Sequence, residues 1–371
     1  MSDMYINDDF DERRAKRKAK MRNRQKRQEL LQHRMIIAAI LAIVALIVIV
    51  VVIKVFSGDS KKDNKAESSS DNKTATEAIA DDSEKTDDKE DEVVKEQKPP
   101  YYAEVTADTI KDFPESTCEY AVIVRKNDNT ILAGKNYDVK MYPASMTKVM
   151  TVLVAAKYAK NLDDVCTVTR QTTDFCYVND CSNVGYEVGE KVKVRELFYG
   201  TILPSGADAA LTLAEYVSGS HEAFVELMNK ELEEMGLSET THFTNCVGIY
   251  DDNHYSTAYD MAMILEAAMD NEFCAQVLSE HIHTTQKTNV HKEEQSLSNL
   301  FLRRVEDKDS GSVTVKGAKT GYVTQAGNCC VSCGVDDKGN EYYLCTAKST
   351  GNWQCIYDHA AIYKYISELN A

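Results

Sequence analysis

Tyr142-Pro-Ala-Ser-Met-Thr-Lys148 sets a serine and a lysine three positions apart at the head of an apolar run that continues to Ala159. Such a run predicts a helix over 145–159, opening at Ser145 after Pro143-Ala144. At a helix N-terminus a serine hydroxyl lies beside free backbone N–H groups, and the residue three positions on sits one turn later along the same face. Lys148 can therefore reach the Ser145 hydroxyl. A serine is a weak nucleophile at its own pKa and needs a base, and a lysine desolvated in a cleft loses its proton near neutral pH. Taken alone, the pattern describes an ordinary Ser cap with a solvated Lys equally well, so its meaning rests on its surroundings.

Upstream, Glu119–Arg125 (EYAVIVR) and 130–136 read as strands separated by the turn-forming Lys126-Asn-Asp-Asn129, a hairpin. Downstream, the pattern is helical to about Glu280, with one helix over 224–235 ending at Gly236 and another over 257–269 following Ser256 as cap. Strand patterns return at 313–319, 326–335 and 341–348. A closing helix over 353–369 carries Trp353, Ile356, Tyr357, Ala360, Tyr363 and Ile366 at helical spacing. Two early and three late strands around a helical middle predict an α/β chain of the α+β type, one five-stranded sheet with flanking helices and an all-helical insertion.

Two further short patterns fall on this frame. Lys319-Thr-Gly321 joins a cation and a hydroxyl to a glycine that lets a ligand approach a strand edge, which suits a carboxylate. Ser205-Gly-Ala207 is a small-residue loop opening an Ala-rich helix. Each alone is also a plain turn or cap.

At the N-terminus every residue from Met35 to Ile53 is apolar, long enough at about 1.5 Å per residue to cross a hydrocarbon core. A cleaved signal peptide needs a shorter apolar region and a small-residue cleavage site, whereas Lys54-Val-Phe56 follows here. Residues 35–56 are thus expected to cross a lipid bilayer. The eleven Lys/Arg of 13–34 hold 1–34 in the cytoplasm as a basic tail and put the remainder outside the cell, a single-pass protein of the cell membrane. Residues 57–100 are Ser, Asp, Glu and Lys with almost no large apolar side chain, an acidic disordered linker by composition. Residues 101–371 form the extracellular domain. The 371-residue chain has a net charge of −16; by count the tail contributes +5, Lys54 +1 and the linker −6, so 101–371 carry −16. That balance argues against binding nucleic acid.

The order S-x-x-K, a Ser loop some sixty residues on, then K-T-G resembles the penicillin-binding proteins and serine β-lactamases. The fuller set resembles the low-molecular-weight D-alanyl-D-alanine carboxypeptidases. It comprises Tyr142 to Lys148, Leu203-Pro-Ser-Gly-Ala-Asp-Ala-Ala210, Gly236-Leu-Ser238, Thr244-Asn245 with Gly248, Asn253-His-Tyr-Ser-Thr-Ala-Tyr-Asp260 and Lys319-Thr-Gly-Tyr322, across roughly 118–348. The resemblance implies a β-lactamase/transpeptidase-like fold with an antiparallel sheet. It implies Ser145 as the acylated nucleophile, Lys148 as its base and Ser205 as a proton relay. Lys319 and Thr320, beside Gly321, would bind the terminal carboxylate, and the N–H groups of Ser145 and Tyr322 would form the oxyanion hole. It further implies peptidoglycan stem peptides ending in D-Ala-D-Ala as substrates, β-lactam antibiotics as acylating ligands, and neither cofactor nor metal. Two relatives of the same chemistry, a β-lactamase or a DD-endopeptidase, and a catalytically weak wall-binding homologue remain alternatives.

One position departs: the family's Ser-x-Asn reads Ser205-Gly-Ala207 here, so activity is expected to be reduced or altered. Asp208 matches the Asp that follows Asn in the family and is read as structural. Many relatives carry a C-terminal β-domain and an amphipathic anchor; the chain ends soon after its last helix, so the N-terminal span is expected to replace that anchor. Eleven cysteines, between Cys118 and Cys355, suggest small apolar packing or disulfides, with Cys176 and Cys181 the favoured local pair, and metal binding as the lesser alternative. Cys329 and Cys333 should share one strand face and Cys330 the other. His281, His283 and His291 lie in a polar stretch and read as surface histidines.

Overall fold

The computed structural model describes residues 98–369. The expected tail and membrane span, and the linker up to residue 97, lie outside the described residues. Among the described residues no helix is long and apolar enough to cross a membrane.

Strands β1 (Tyr120–Arg125) and β2 (Thr130–Lys135) form the expected hairpin, with Asn129 closing the turn at a left-handed φ of 54° that asparagine tolerates. Strands β3 (Val165–Thr167) and β4 (Lys191–Lys193) make one small ribbon, and β5 (Ile282–Thr284) with β6 (Ser296–Ser298) another. The middle of the chain is therefore not all helical. Three-residue strands are too short to leave a period in the sequence. Strands β7 (Thr314–Val323), β8 (Gly327–Val335) and β9 (Glu341–Ser349) complete an antiparallel five-stranded sheet in the order β2-β1-β9-β8-β7, with β7 on an edge.

The helices are α1 (Lys148–Tyr158), α2 (Arg170–Val178), α3 (Val194–Ile202), α4 (Ala207–Ser218), α5 (His221–Met235), α6 (Ala258–Asp270), α7 (Glu272–Ser279), α8 (Leu302–Val305) and α9 (Gln354–Leu369). Both faces of the sheet are covered. Val122, Val124, Cys329, Val331, Cys333, Tyr343 and Cys345 pack with the helical middle. Ile123, Tyr342 and Leu344 meet Ile362, Tyr363 and Ile366 of α9, while Cys330 and Ala318 meet Leu302, Val305 and Ile356. Burial on both sides explains why these strands read as continuous apolar runs rather than alternating ones. Cys329 and Cys333 do share a face opposite to Cys330. All eleven cysteines are free thiols and ten are buried, which is the packing alternative; the Cys176–Cys181 bridge is not formed.

Two boundaries shift. Thr257, not Ser256, caps α6 by accepting the N–H of Asp260, because the Ser256 hydroxyl is engaged with Thr241. Trp353 precedes α9, and both it and Tyr357 are exposed, stacked on each other beneath Arg304 instead of entering the core.

Candidate active site

The serine–lysine pair is built by a short irregularity. Ala144–Thr147 is a 3-10 turn, and the α-helix begins only at Lys148. A 3-10 turn has three residues per turn, so positions i and i+3 eclipse instead of being offset by roughly sixty degrees. Lys148 Nζ accordingly donates to Ser145 Oγ at 3.0 Å and to the Val247 carbonyl at 2.6 Å. Ser145 is half-buried and Lys148 is 2% exposed. Burial pulls the Lys148 pKa down to about 8, opposed by Cys181, Cys246, Cys176 and Asp208 around it. About a fifth of Lys148 is then neutral near pH 7.4 and able to take a proton.

The turn is forced from outside. Ala144 has a φ of +49°, unfavourable by about 1 kcal/mol for a residue with a Cβ, which its neighbours must impose. One of these is Gly248, where a Cβ would fall 1.9 Å from the Ala144 carbonyl oxygen. Asn245 Oδ1 accepts the N–H groups of Val247, Gly248 and Ile249, and so fixes the loop that aims the Val247 carbonyl at Lys148. Behind the turn, the N–H of Thr244 donates to Nδ1 of His254 at 3.1 Å, and burial drives that imidazole's pKa down to about 3. The neutral ring therefore carries its proton on Nε2 and donates to Thr147 Oγ1 at 2.8 Å.

Edge strand β7 closes the other side. Lys319 pairs with Val331 and Gly321 with Cys329, which turns both toward the helical layer. A Cβ on Gly321 would sit 2.9 Å from the Ser145 nitrogen and 3.0 Å from the Pro143 oxygen, so this strand can lie against the nucleophile turn only with glycine there. Lys319 is 2% exposed and donates to the Thr320 carbonyl at 2.6 Å. Burial first, and then the Lys148 charge, hold its pKa well below the ordinary lysine value. Thr320 takes the opposite face of the pleat and Tyr322 is exposed.

Ser205 lies in the loop just before α4. It has a φ of +61°, and its hydroxyl is buried without a hydrogen-bond partner. A buried orphan hydroxyl costs about 1–3 kcal/mol, and neither Ser145 nor Lys148 relieves it. Asp208 behaves as expected for a structural residue: its carboxylate accepts the N–H groups of Val184, Gly185, Tyr186 and Ala209 at 2.9–3.0 Å. Burial raises its pKa and those four donors oppose the rise. Ala207 N–H donates to the Ser182 carbonyl at 2.8 Å, so residues 182–186 are fastened to the head of α4.

The sequence reading gave no role to Val247, Asn245 or His254, although Asn245, Gly248 and His254 stood in the phrases that carried the resemblance. Two histidines depart from the surface reading. His283 stacks on Tyr199 with centroids 3.7 Å apart and contacts the buried Glu196; His291 contacts the buried Glu190. Both carboxylates, with His291, line a cavity of about 320 Å³. His281 is exposed, as expected.

Comparison with known proteins agrees with this geometry. The profile of the D-alanyl-D-alanine carboxypeptidase family, Peptidase S11, matches residues 107–341. The D-alanyl-D-alanine carboxypeptidase DacF of Bacillus subtilis is 32% identical over 219 residues, covering 56% of this chain and 52% of the relative. DacA of Haemophilus influenzae is 35% identical over 221 residues, covering 58% and 52%. The chain thus spans about half the length of these curated relatives. The crystal structure of the Streptomyces K15 DD-transpeptidase superposes with a TM-score of 0.63 at 30% identity, covering 69% of this chain and 99% of that one. By its ordered motifs, its sheet and its serine–lysine pair, the chain belongs to the Peptidase S11 family of D-alanyl-D-alanine carboxypeptidases.

Proposed function

We propose that this protein is a membrane-anchored serine D-alanyl-D-alanine carboxypeptidase that trims the terminal D-alanine from peptidoglycan stem peptides through an acyl-enzyme. The observation that carries this reading is the 3.0 Å contact between Ser145 Oγ and a buried Lys148 with a pKa of about 8. Neutral Lys148 takes the hydroxyl proton while Oγ attacks the carbonyl carbon of the penultimate D-alanine. The N–H groups of Ser145 and Tyr322 face the developing oxyanion, each worth on the order of 3 kcal/mol in comparable sites. Collapse breaks the peptide bond, and the leaving amine of D-alanine receives a proton from Lys148 through the Ser205 hydroxyl, whose lack of a protein partner suits a relay. Water then hydrolyses the ester. Edge strand β7 pairs with the peptide backbone, and Lys319 with Thr320 takes the terminal carboxylate. A β-lactam acylates the same serine.

Ala207 leaves a methyl where the family has an amide, so the carboxypeptidase rate is reduced or altered and not abolished. Residues 35–56 anchor the chain with the catalytic domain outside the cell. The test is fluorescent penicillin labelling of the purified full-length chain alongside D-alanine release from a D-Ala-D-Ala peptide. Ser145→Ala should lose both, as a unit of catalytic groups does when one member is removed. Labelling that persists in the variant would remove Ser145 from its role; labelling without D-alanine release would favour the wall-binding homologue.

A further inference from the structure

Among the eleven cysteines, Cys181 stands apart. The other ten are buried, and Cys181 is half-exposed. It lies just past the end of α2, where its N–H donates to the Cys176 carbonyl at 2.9 Å. This bond spans five residues and folds the chain back on the helix end, setting the two residues side by side. Each thiol is the leading influence on the other's titration. A disulfide needs the sulfurs at about 2 Å, a closure that side-chain rotation can supply between residues set side by side.

The segment that follows Cys181 is a wall of the catalytic cleft. Ser182 accepts the Ala207 N–H, and Val184, Gly185 and Tyr186 are bound to Asp208, one and two residues beyond the Ser205-Gly206 pair. On the inner side, Lys148 is close enough for its charge to bear on Cys181 and Cys176 alike. The neighbouring Cys176 thiol and then that charge draw the Cys181 pKa downward, whereas the other ten thiols are all raised. Thiolate character combined with access is what makes a cysteine reactive.

We propose that Cys181 is a modification site in the cleft wall: soft electrophiles alkylate it, peroxide converts it with Cys176 to a disulfide, and an adduct there obstructs acylation of Ser145. In the oxidative step the Cys181 thiolate attacks one peroxide oxygen, releasing hydroxide and leaving a sulfenic acid. The Cys176 sulfur then attacks that sulfur, and its proton leaves with the displaced oxygen as water. Two thiols are oxidised and one peroxide is reduced to two waters. The effect on acylation rests on the serine chemistry proposed above; the modification does not.

The full-length folded chain is treated with N-ethylmaleimide, mapped by peptide mass spectrometry, and then exposed to fluorescent penicillin. A single early adduct at Cys181 is expected, absent from Cys181→Ser, with acylation of the adducted chain slowed about tenfold or more by the misplaced wall. Cys181→Ser itself should acylate normally. Hydrogen peroxide should join Cys176 and Cys181 in the wild type, and in Cys176→Ser should instead leave oxygen on Cys181. Labelling of another cysteine first, or an adduct at Cys181 with unchanged acylation, would overturn the proposal. Should the untreated chain take up no penicillin at all, the serine chemistry fails, while adduct mapping and the disulfide still decide the thiol site.

Discussion

Lys148 is asked to be a base, and a base must first be neutral. With its pKa brought down to about 8 by burial, the neutral fraction grows as pH rises through that value. The second-order rate of penicillin acylation should climb with a midpoint near 8; a flat profile across that range would assign proton removal to another group. Lys148→Arg keeps the positive charge but cannot deprotonate, and should lower acylation by about 10³ or more while the chain remains folded. Lys319 is separable by substrate. In the proposed reading, residues 101–371 carry −16 against a substrate that ends in a carboxylate, so long-range steering opposes binding and Lys319, kept protonated by the arriving carboxylate against its burial, must supply the attraction. Lys319→Met should therefore depress kcat/KM for D-Ala-D-Ala peptides well beyond its effect on an ester lacking the terminal carboxylate. Equal losses would place Lys319 in proton relay instead.

At the level of elements, the site depends on a 3-10 turn pinned between the Asn245–Gly248 loop and strand β7. Gly248 combines a φ of +80° with a backbone oxygen 1.9 Å from where a Cβ would stand, while Gly339 has a φ of +84° and nothing within 4 Å. The two glycines separate strain from collision. Gly339→Ala should lower the thermal midpoint by the cost of left-handed alanine, about 1 kcal/mol, and leave penicillin acylation intact. Gly248→Ala should lower it further and abolish acylation, since Ala144 and Ser145 must move. Comparable acylation in the two variants would show that the turn holds its shape without the loop.

For the molecule as a whole, a carboxylate under the sheet sets a pH dependence of stability. Glu266 of α6 is 5% exposed, its Oε2 has no hydrogen-bond partner, and burial pushes its pKa from 4.5 to about 7, with Lys126 opposing and Asp270 and Glu341 adding to the rise. The folded state holds this proton more tightly than the unfolded chain does. Its contribution is therefore fully present below 4.5 and is lost as pH rises to about 7. Glu266→Gln resembles the protonated acid and removes that dependence. The unfolding free energy of the variant, from urea titrations, should overtake that of the wild type across this window, by about 3 kcal/mol above it. A constant difference between the two at every pH would mean that Glu266 does not titrate on unfolding.

The amino-acid order by itself determined the five main strands, the helical character of the middle and the pairing of Ser145 with Lys148. It did so because these rest on local period and on a spacing of three residues. It also carried Asp208 as structural and the alternation of Cys329, Cys330 and Cys333, since pleat parity is local. What the tertiary structure decided depends on contacts far along the chain. The helix start slipped to Lys148 because Gly248, a hundred residues away, crowds Ala144 into a left-handed φ. Lys319 faces the nucleophile only because a bulge between Val315 and Gly317 shifts the register of β7 on β8; a one-residue slip flips every side chain to the other face. The half-buried His283 and His291 found carboxylates on α3 and in the loop before β4, partners no local window contains. Burial, too, belongs to the assembled fold: a lysine in the sequence is an ordinary cation, and the Lys148 pKa falls to about 8 only in the fold that buries it.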